Sequence, residues 1–332
     1  MNIGIVGTGL IAKLNVEALQ KTGRVNIVAL CNRTLEKGEA FAKEHGINAP
    51  VYATLEEMLS HHQLDAALIN TPHAAHYEQF KLCAQKGVHV MMEKPLGVTG
   101  EECQSMVDLR DKHGTRAAVC HTQRYLPLLQ AARKLIQDKQ GELGKLRHIT
   151  DIINLHYFHD QRPAWFFDPK QAGGGLLLTH GAHQVDRVHV LAGSGTHRVF
   201  AWMENLAQYP GLDSGYQMMG VGENYTYTVV CAGYPSPHTS SVQMDFEKGS
   251  VKISLFANGM EEYGVYMGNQ EGYKKVVDPL YEADAYVSQF NDMLDLLEGK
   301  PSGAPTLEEA THVVQVLDAM KQSQEKLQAV TL

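Results

Sequence analysis

Four side chains able to move or hold a proton recur at helical spacing near the middle of the chain: His180, His183, Asp186 and Arg187. They follow the run Gly173-Gly174-Gly175-Leu176-Leu177-Leu178-Thr179. Intervals of three and four residues place several of them on one helix face. Leu177, Val185, Val188 and Leu191 supply the apolar side of the same predicted helix. Titratable groups on a helix that opens at a glycine-rich turn make an acid/base site. His156 and His159 lie upstream, and four histidines raise the question of zinc, for which imidazole is a common ligand. Their spacing is not a tight metal pattern, and no metal is expected.

A second constellation stands at the start. Asn2 to Val6 reads as a buried strand, Gly7-Thr8-Gly9-Leu10-Ile11-Ala12 follows, and Leu14, Ala18 and Leu19 keep helical spacing. G-x-G-x-x-A in a strand–turn–helix setting is the fingerprint of a dinucleotide site. Gly7 permits the tight turn, Gly9 lets a pyrophosphate approach the backbone, and Ala12 keeps the helix close to the sheet. The helix N-terminus favours the phosphate charge. Asn32-Arg33-Thr34 closes the second predicted strand, where NAD readers place an acid for the ribose hydroxyls. Asn32 is neutral, and Arg33 either pairs with a 2′-phosphate or stacks on adenine. The expected cofactor is NADP in preference to NAD.

Two further groups have the chemistry of a substrate site. Lys94 follows a predicted strand and precedes Pro95, which fixes the local backbone. At the carboxyl end of a parallel sheet, where ligands bind, a lysine can donate to a substrate oxygen and favour its negative charge; elsewhere it is a surface lysine. His156, Tyr157, Arg162 and Trp165 form a polar, aromatic segment ahead of the glycine run. Aromatic faces stack on sugars and rings, and arginine holds a carboxylate or hydroxyl in a fork. Packing within the loop is the alternative.

These residues need elements to position them. Up to about residue 120, predicted strands and helices alternate. Thr54-x-x-Glu57 and Thr99-x-x-Glu102 are helix-opening capping boxes, and Gly46, Gly87 and Gly114 are helix stops. This order implies a parallel sheet covered on both faces. After a helix over 126–138, strand signals dominate at 146–157, 198–205, 225–232, 240–246 and 250–256. In the last, Val251, Ile253 and Leu255 alternate with polar residues. Residues 207–222, rich in Gly, Tyr and Met, read as a long loop. Two helices, about 284–297 and 306–329, close the chain.

At 332 residues the chain is long enough for two domains. A net charge of -8, with no run of like charge, argues against nucleic acid or an anionic membrane as a partner. No stretch is long and apolar enough to cross a bilayer, and with a strand predicted at the very start no signal peptide is expected. Five scattered cysteines without C-x-x-C spacing read as reduced thiols of a cytoplasmic protein.

Gly7–Ala12, then Glu93-Lys94-Pro95, and G-G-G-x-L-x-x-x-G-x-H-x-x-D at 173–186 together resemble the glucose-fructose oxidoreductase / inositol dehydrogenase / MocA (Gfo/Idh/MocA) family. The match runs nearly end to end and includes Thr71-Pro72 with His76 and the terminal helix pair. The resemblance implies an α/β fold. A Rossmann domain, a doubly wound parallel sheet, occupies 1–122. An α+β domain with an open, largely antiparallel sheet occupies 123–332, and the C-terminal helices are candidates for packing back on the first domain. It implies NAD(P)-dependent oxidation of a secondary alcohol on a sugar, polyol or cyclitol by a homodimer or homotetramer.

The cofactor set is then Gly7, Thr8, Gly9, Leu10, Ile11, Asn32, Arg33, Thr71, Pro72, His76, Glu93 and Lys94. The resemblance makes Lys94 and His183 the catalytic pair, with His183 as general base, a role suited to a group that titrates near neutral pH. Arg124 resembles a family position near cofactor or substrate. His156, Trp165, Thr179, His180 and Asp186 complete the candidate substrate contacts; Asp186 either orients a substrate hydroxyl or bonds the backbone. Many members carry an acid four positions before the histidine, where this chain has Thr179. Thr179-x-x-x-His183-Gln184-Val185-Asp186 also resembles the aromatic cis-dihydrodiol dehydrogenase branch. Two rival readings are a redox-neutral enzyme that cleaves or eliminates through transient oxidation, and a cofactor-sensing regulator, against which intact Lys94 and His183 argue.

Overall fold

Ile3, Ile5 and Val6 are buried in the first strand, and the strand–helix alternation begun there continues to residue 120. The computed structural model describes residues 1–256, 263–278 and 284–332. Elements run in the order β1 (Asn2–Val6), α1 (Leu10–Lys21), β2 (Asn26–Cys31), α2 (Leu35–Glu44), β3 (Val51–Tyr52), α3 (Leu55–His61), β4 (Ala66–Ile69), α4 (His76–Gln85), β5 (His89–Glu93), α5 (Gly100–His113) and β6 (Ala117–Cys120). After them come α6 (Pro127–Asp138), α7 (Gln140–Leu143), β7 (Leu146–Asn154), α8 (Pro169–Ala172), α9 (Ala182–Ala192), β8 (Arg198–Asn205), β9 (Asp213–Val221), β10 (Thr226–Ala232), β11 (Thr239–Phe246) and β12 (Ser250–Phe256). β13 (Gly264–Asn269), β14 (Gly272–Val277), α10 (Ala285–Glu298), α11 (Leu307–Lys326) and β15 (Val330–Thr331) end the chain.

The first of two structural units comprises Met1–Thr122 and Asp284–Thr311. Its six-stranded sheet has the order β3-β2-β1-β4-β5-β6, and every pairing is parallel. This is the doubly wound order in which ligands bind beyond the carboxyl ends of the strands, here where β1 meets β4. Thr54 and Thr99 accept hydrogen bonds from the backbone N–H of Glu57 and Glu102, so both predicted caps form. Phe290, Met293, Leu294 and Leu297 of α10 join Ile3, Ile5, Leu30, Leu68 and Met91 in one core. Each such fully buried side chain contributes about 1.5–3 kcal/mol.

The second unit comprises Gln123–Ala283 and His312–Leu332; the boundary falls inside α11. Its sheet has the order β14-β13-β12-β11-β7-β10-β9-β8-β15. All pairs are antiparallel except β7 with β10. On one face Ile149, Ile153, Val229, Cys231, Val242, Met244, Val251 and Ile253 are buried. On the other, Ile152, Phe200, Trp202, Met219 and Val221 are exposed. Ser323 and Gln324 of α11 accept from the backbone N–H groups of Ala201 and Met203, which closes the edge of β8 where β15 does not reach.

The structure corrects the reading of 207–222 as a loop. Residues 213–221 form β9, paired on both sides. The glycines that suggested a loop accommodate rings: a Cβ at Gly220 would lie 2.0 Å from the Tyr227 ring. A glycine in a strand marks such a close approach. The helix predicted over 177–191 also opens differently, with a π-helical turn at Leu177–Gly181 before α9. The last helix stops at Lys326, and Leu327 takes a positive φ of 52°. All five cysteines are buried free thiols. Burial pushes the Cys31 thiol up to about 11 and those of Cys83 and Cys231 up to about 12. Among the described residues no helix is long and apolar enough to cross a membrane.

Candidate active site

In the first unit the site is built at the carboxyl ends of β1, β4 and β5. Gly7 leaves β1 with φ +83°, and a Cβ there would lie 3.0 Å from the Asn70 carbonyl oxygen and from Thr71 Cγ2. Only glycine meets both demands. Gly9 is different: a Cβ would meet nothing within 4 Å, so the protein's own packing does not require a glycine there. α1 begins at Gly9 with no side-chain cap and no acidic residue in its first turn, leaving its N–H groups and dipole for an anion. These features fit a dinucleotide pyrophosphate. Leu10 is exposed at the same corner. Asn32 Nδ2 donates to the Thr34 carbonyl at 2.7 Å, while Arg33 is exposed.

Beneath this corner Glu93 of the Glu93-Lys94-Pro95 motif joins Asn15 and Asn70 in a polar cluster. Asn15 Nδ2 donates to Asn70 Oδ1 and to Glu93 Oε1, both at 2.8 Å. The Lys94 backbone N–H donates to Glu93 Oε2 at 3.1 Å. All three side chains are buried. Burial raises the Glu93 carboxyl above its ordinary value, against the opposing pull of the Lys94 ammonium and the Asn15 amide. For Asn15 the signal was a polar residue on the buried face of α1, three positions after Ala12. Asn70 Nδ2 and Asn15 Oδ1 are buried with no hydrogen-bond partner among the described residues.

His76, expected at the cofactor, is held by two backbone carbonyls. It is fully buried, with Nδ1 2.9 Å from the Pro95 carbonyl and Nε2 3.0 Å from the Thr71 carbonyl. Neither ring nitrogen is left for a nucleotide; the ring ties the Thr71 loop to the Lys94-Pro95 corner. Burial lowers its pKa, while the carbonyl contacts oppose the shift. Thr71 Oγ1 donates to Gln79 at 2.5 Å. The Lys94–Pro95 peptide is cis, and Lys94 is half-buried.

In the second unit the glycine run is shaped by β9. A Cβ at Gly175 would lie 2.2 Å from the Asp213 carbonyl oxygen. The Asp213 carboxylate accepts from the N–H groups of Gly175 and Leu177 at 2.9 and 2.5 Å. This anchors the turn that carries Thr179 and His180. Thr179 Oγ1 lies 2.9 Å from Tyr157 Oη and 2.7 Å from the Gly175 carbonyl, so the hydroxyl is committed to the fold. The Tyr157 ring meets His180 edge-on at 5.7 Å between centroids, and His180 meets His183 at 6.5 Å. Burial pushes the Tyr157 hydroxyl up to about 12. Arg162 lies with its guanidinium carbon 4.0 Å from the Tyr157 ring centroid. Trp165 stacks on Phe166 at 3.8 Å, and His156 meets His159 at 5.8 Å. Among the described residues no group of three or more His, Cys, Asp or Glu is placed to hold a metal ion.

Arg124 and Asp186 were expected at the substrate. The structure brings them together as a buried pair, with Nε and Nη2 of Arg124 at 3.0 and 2.6 Å from the carboxylate. Arg187 makes a second pair with Asp151, at 2.7 Å from Nε and 2.5 Å from Nη2. Gln184 also donates to Asp151, at 2.6 Å. Asp186 and Arg187 therefore face inward and hold α9 in place, while His180 and His183 are half-buried. Asp151 gave no local signal, since its partner lies 36 positions away.

Comparison with known proteins bears on the whole chain. Residues 1–121 match the family model described as an oxidoreductase family with an NAD-binding Rossmann fold, and residues 129–260 match the GFO/IDH/MocA C-terminal domain. The trans-1,2-dihydrobenzene-1,2-diol dehydrogenase of Bos taurus is 28% identical over 243 residues, 69% of this chain and 71% of that protein. The 1,5-anhydro-D-fructose reductase of Ensifer adhaerens is 25% identical over 312 residues, 92% of this chain and 91% of that protein. The solved structure of GenD2 from gentamicin A biosynthesis, in complex with NAD, has a TM-score of 0.86 at 22% identity and covers 100% of this chain and 96% of that one; this likeness concerns the fold. With both family domains in order over most of its length, the chain belongs to the GFO/IDH/MocA family of oxidoreductases.

Proposed function

We propose that this protein oxidises a secondary alcohol on a sugar, polyol or cyclitol ring with NAD(P), and prefers NADP. The observation that carries the reading is the corner at Gly7 to Ala12: a helix N-terminus without a cap or acid, and a glycine that the protein's own packing does not require. Gly7, Thr8, Gly9, Leu10 and Ile11 would hold the pyrophosphate, Asn32 and Arg33 the adenosine ribose, and Thr71, Pro72, Glu93 and Lys94 the remainder. A bound nicotinamide supplies hydride exchange with carbon. Lys94 donates to the reacting oxygen and favours its developing charge. His183 takes the hydroxyl proton, and His180, His156 and Trp165 contact the substrate. Thr179, Asp186, Arg124 and His76 act as positioning residues, as their committed hydrogen bonds support.

The test is turnover of NADP and NAD against a panel of polyols, cyclitols, sugars and one aromatic dihydrodiol. Reduction of either cofactor by a ring alcohol supports the reading; none with any member rejects it. The diol dehydrogenase among the relatives supports the dihydrodiol as a second reading, and preferential turnover of that compound would favour it. We further propose a cytoplasmic homodimer joined through the exposed sheet face that carries Phe200, Trp202 and Met219, a patch of a kind that marks interaction surfaces. Light scattering that gives a concentration-independent monomer mass would reject the dimer.

A further inference from the structure

The second unit holds its less exposed arginines, Arg124, Arg187 and Arg162, in two ways. Arg124 and Arg187 each face a carboxylate, and Arg147 pairs with Glu247 at the surface. Arg162 is more than half withdrawn from solvent, and among the described residues no carboxylate pairs with it. Its Nε donates to the Tyr157 carbonyl at 2.8 Å. Its guanidinium carbon lies 4.0 Å from the Tyr157 ring centroid and 4.8 Å from that of Phe166. Burial pulls its pKa down from the ordinary arginine value. A guanidinium cannot shed its proton to escape that cost, and a withdrawn charge without a counter-charge is unfavourable. Aromatic faces offset part of the cost, and they leave the outer edge of the fork, Nη1 and Nη2, without an acceptor among the described residues. This arginine stands one ring from His180, through Tyr157, and His180 leads on to His183.

We propose that Arg162 recognises an oxyanion on the substrate, so that the compound oxidised carries a carboxylate or a phosphate besides the hydroxyl that reacts. The planar fork of arginine pairs bidentately with either group. Tyr157 sets the position of that fork from beneath, through its carbonyl and its ring face. Neutral polyols would leave the charge uncompensated. The proposal rests on the oxidoreductase reading above and names the substrate class within it.

The test uses matched pairs: D-glucuronate, D-glucose 6-phosphate and D-glucose; D-galacturonate and D-galactose; myo-inositol 1-phosphate and myo-inositol. Each is assayed for kcat/KM, and its binding to the NADP-loaded protein is measured by calorimetry, with wild type, Arg162→Gln and Arg162→Lys. The expected result is that an anionic member is the best ligand. Its kcat/KM and affinity should fall roughly 10- to 100-fold in Arg162→Gln and less in Arg162→Lys, with its neutral counterpart changed little. Whether the uronates or the phosphates lead identifies the source of the oxyanion. A neutral best ligand, an equal loss for both members of a pair, or no anion binding to wild type would overturn the proposal. Should Arg162→Gln fail to fold, the ratio of anionic to neutral affinity in Arg162→Lys decides, since a role in packing alone would leave that ratio unchanged. A panel without turnover counts against the oxidoreductase reading, and the calorimetry still decides the role of Arg162.

Discussion

The two units bury polar groups in contrasting ways. Behind the nucleotide corner lie two amides and one carboxyl, Asn15, Asn70 and Glu93, joined by 2.8 Å bonds. Behind the histidines of the second unit lie two full ion pairs, Arg124–Asp186 and Arg187–Asp151. A network with one carboxyl answers to protons, because its local charge changes as that group titrates. A buried ion pair answers to the loss of a partner, because the remaining charge has nothing to neutralise it. The first arrangement suits a wall facing a charged ligand, and the second a support that must not move.

The strongest test of this division asks whether chemistry and support separate. Lys94→Ala and His183→Ala should each lower kcat by roughly 10²–10⁴-fold, with the unfolding midpoint nearly unchanged in both and NADP affinity nearly unchanged in His183→Ala. Steady-state kinetics and cofactor titration read both, and a large loss of stability would merge the two roles. Asp151→Ala or Arg187→Ala should cost about 3–5 kcal/mol of stability in urea unfolding. Asp151→Leu with Arg187→Met should cost less than either single change; a double variant as unstable as the singles would contradict the account of a stranded charge. In the first unit, Arg33→Ala should weaken NADP but not NAD by about 1.5–3 kcal/mol. Equal affinities of wild type for the two cofactors would sink the assignment of Arg33.

The smallest effect lies in Glu93. Burial raises its pKa in the folded state, so the folded protein holds the proton to higher pH than the unfolded chain does. Its favourable contribution is full below the ordinary carboxylate range, roughly pH 4.3, and is lost as pH rises through the raised folded value. Glu93→Gln should remove that decline. Unfolding midpoints of both proteins across pH 4–8 check it; parallel curves would show that Glu93 does not titrate differently in the fold.

What was legible in the sequence was local. Gly7 to Ala12 sits within six residues, and the Thr54 and Thr99 caps join residues three apart. The polar cluster was not legible, because Asn15 meets Asn70 and Glu93 across 55 and 78 positions. Asp186 was picked out as a reactive type and Arg124 by resemblance, yet each has the other, 62 positions away, as a buried partner. β9 escaped because its glycines, which locally resemble a loop, answer to rings such as Tyr227 in the neighbouring strand. Residue type indicated where chemistry was available, and long-range pairing decided which groups were spent on holding the structure.

The buried thiols have a practical consequence. With a pKa of about 11 for Cys31 and about 12 for Cys83 and Cys231, roughly one sulfur in 10⁴ or fewer at these positions is a thiolate at pH 7. All five side chains are also shielded from solvent. Maleimide reagents should therefore pass over the native cysteines, so a single cysteine placed on an exposed loop could carry a fluorophore or spin label without first stripping the natural ones from the core.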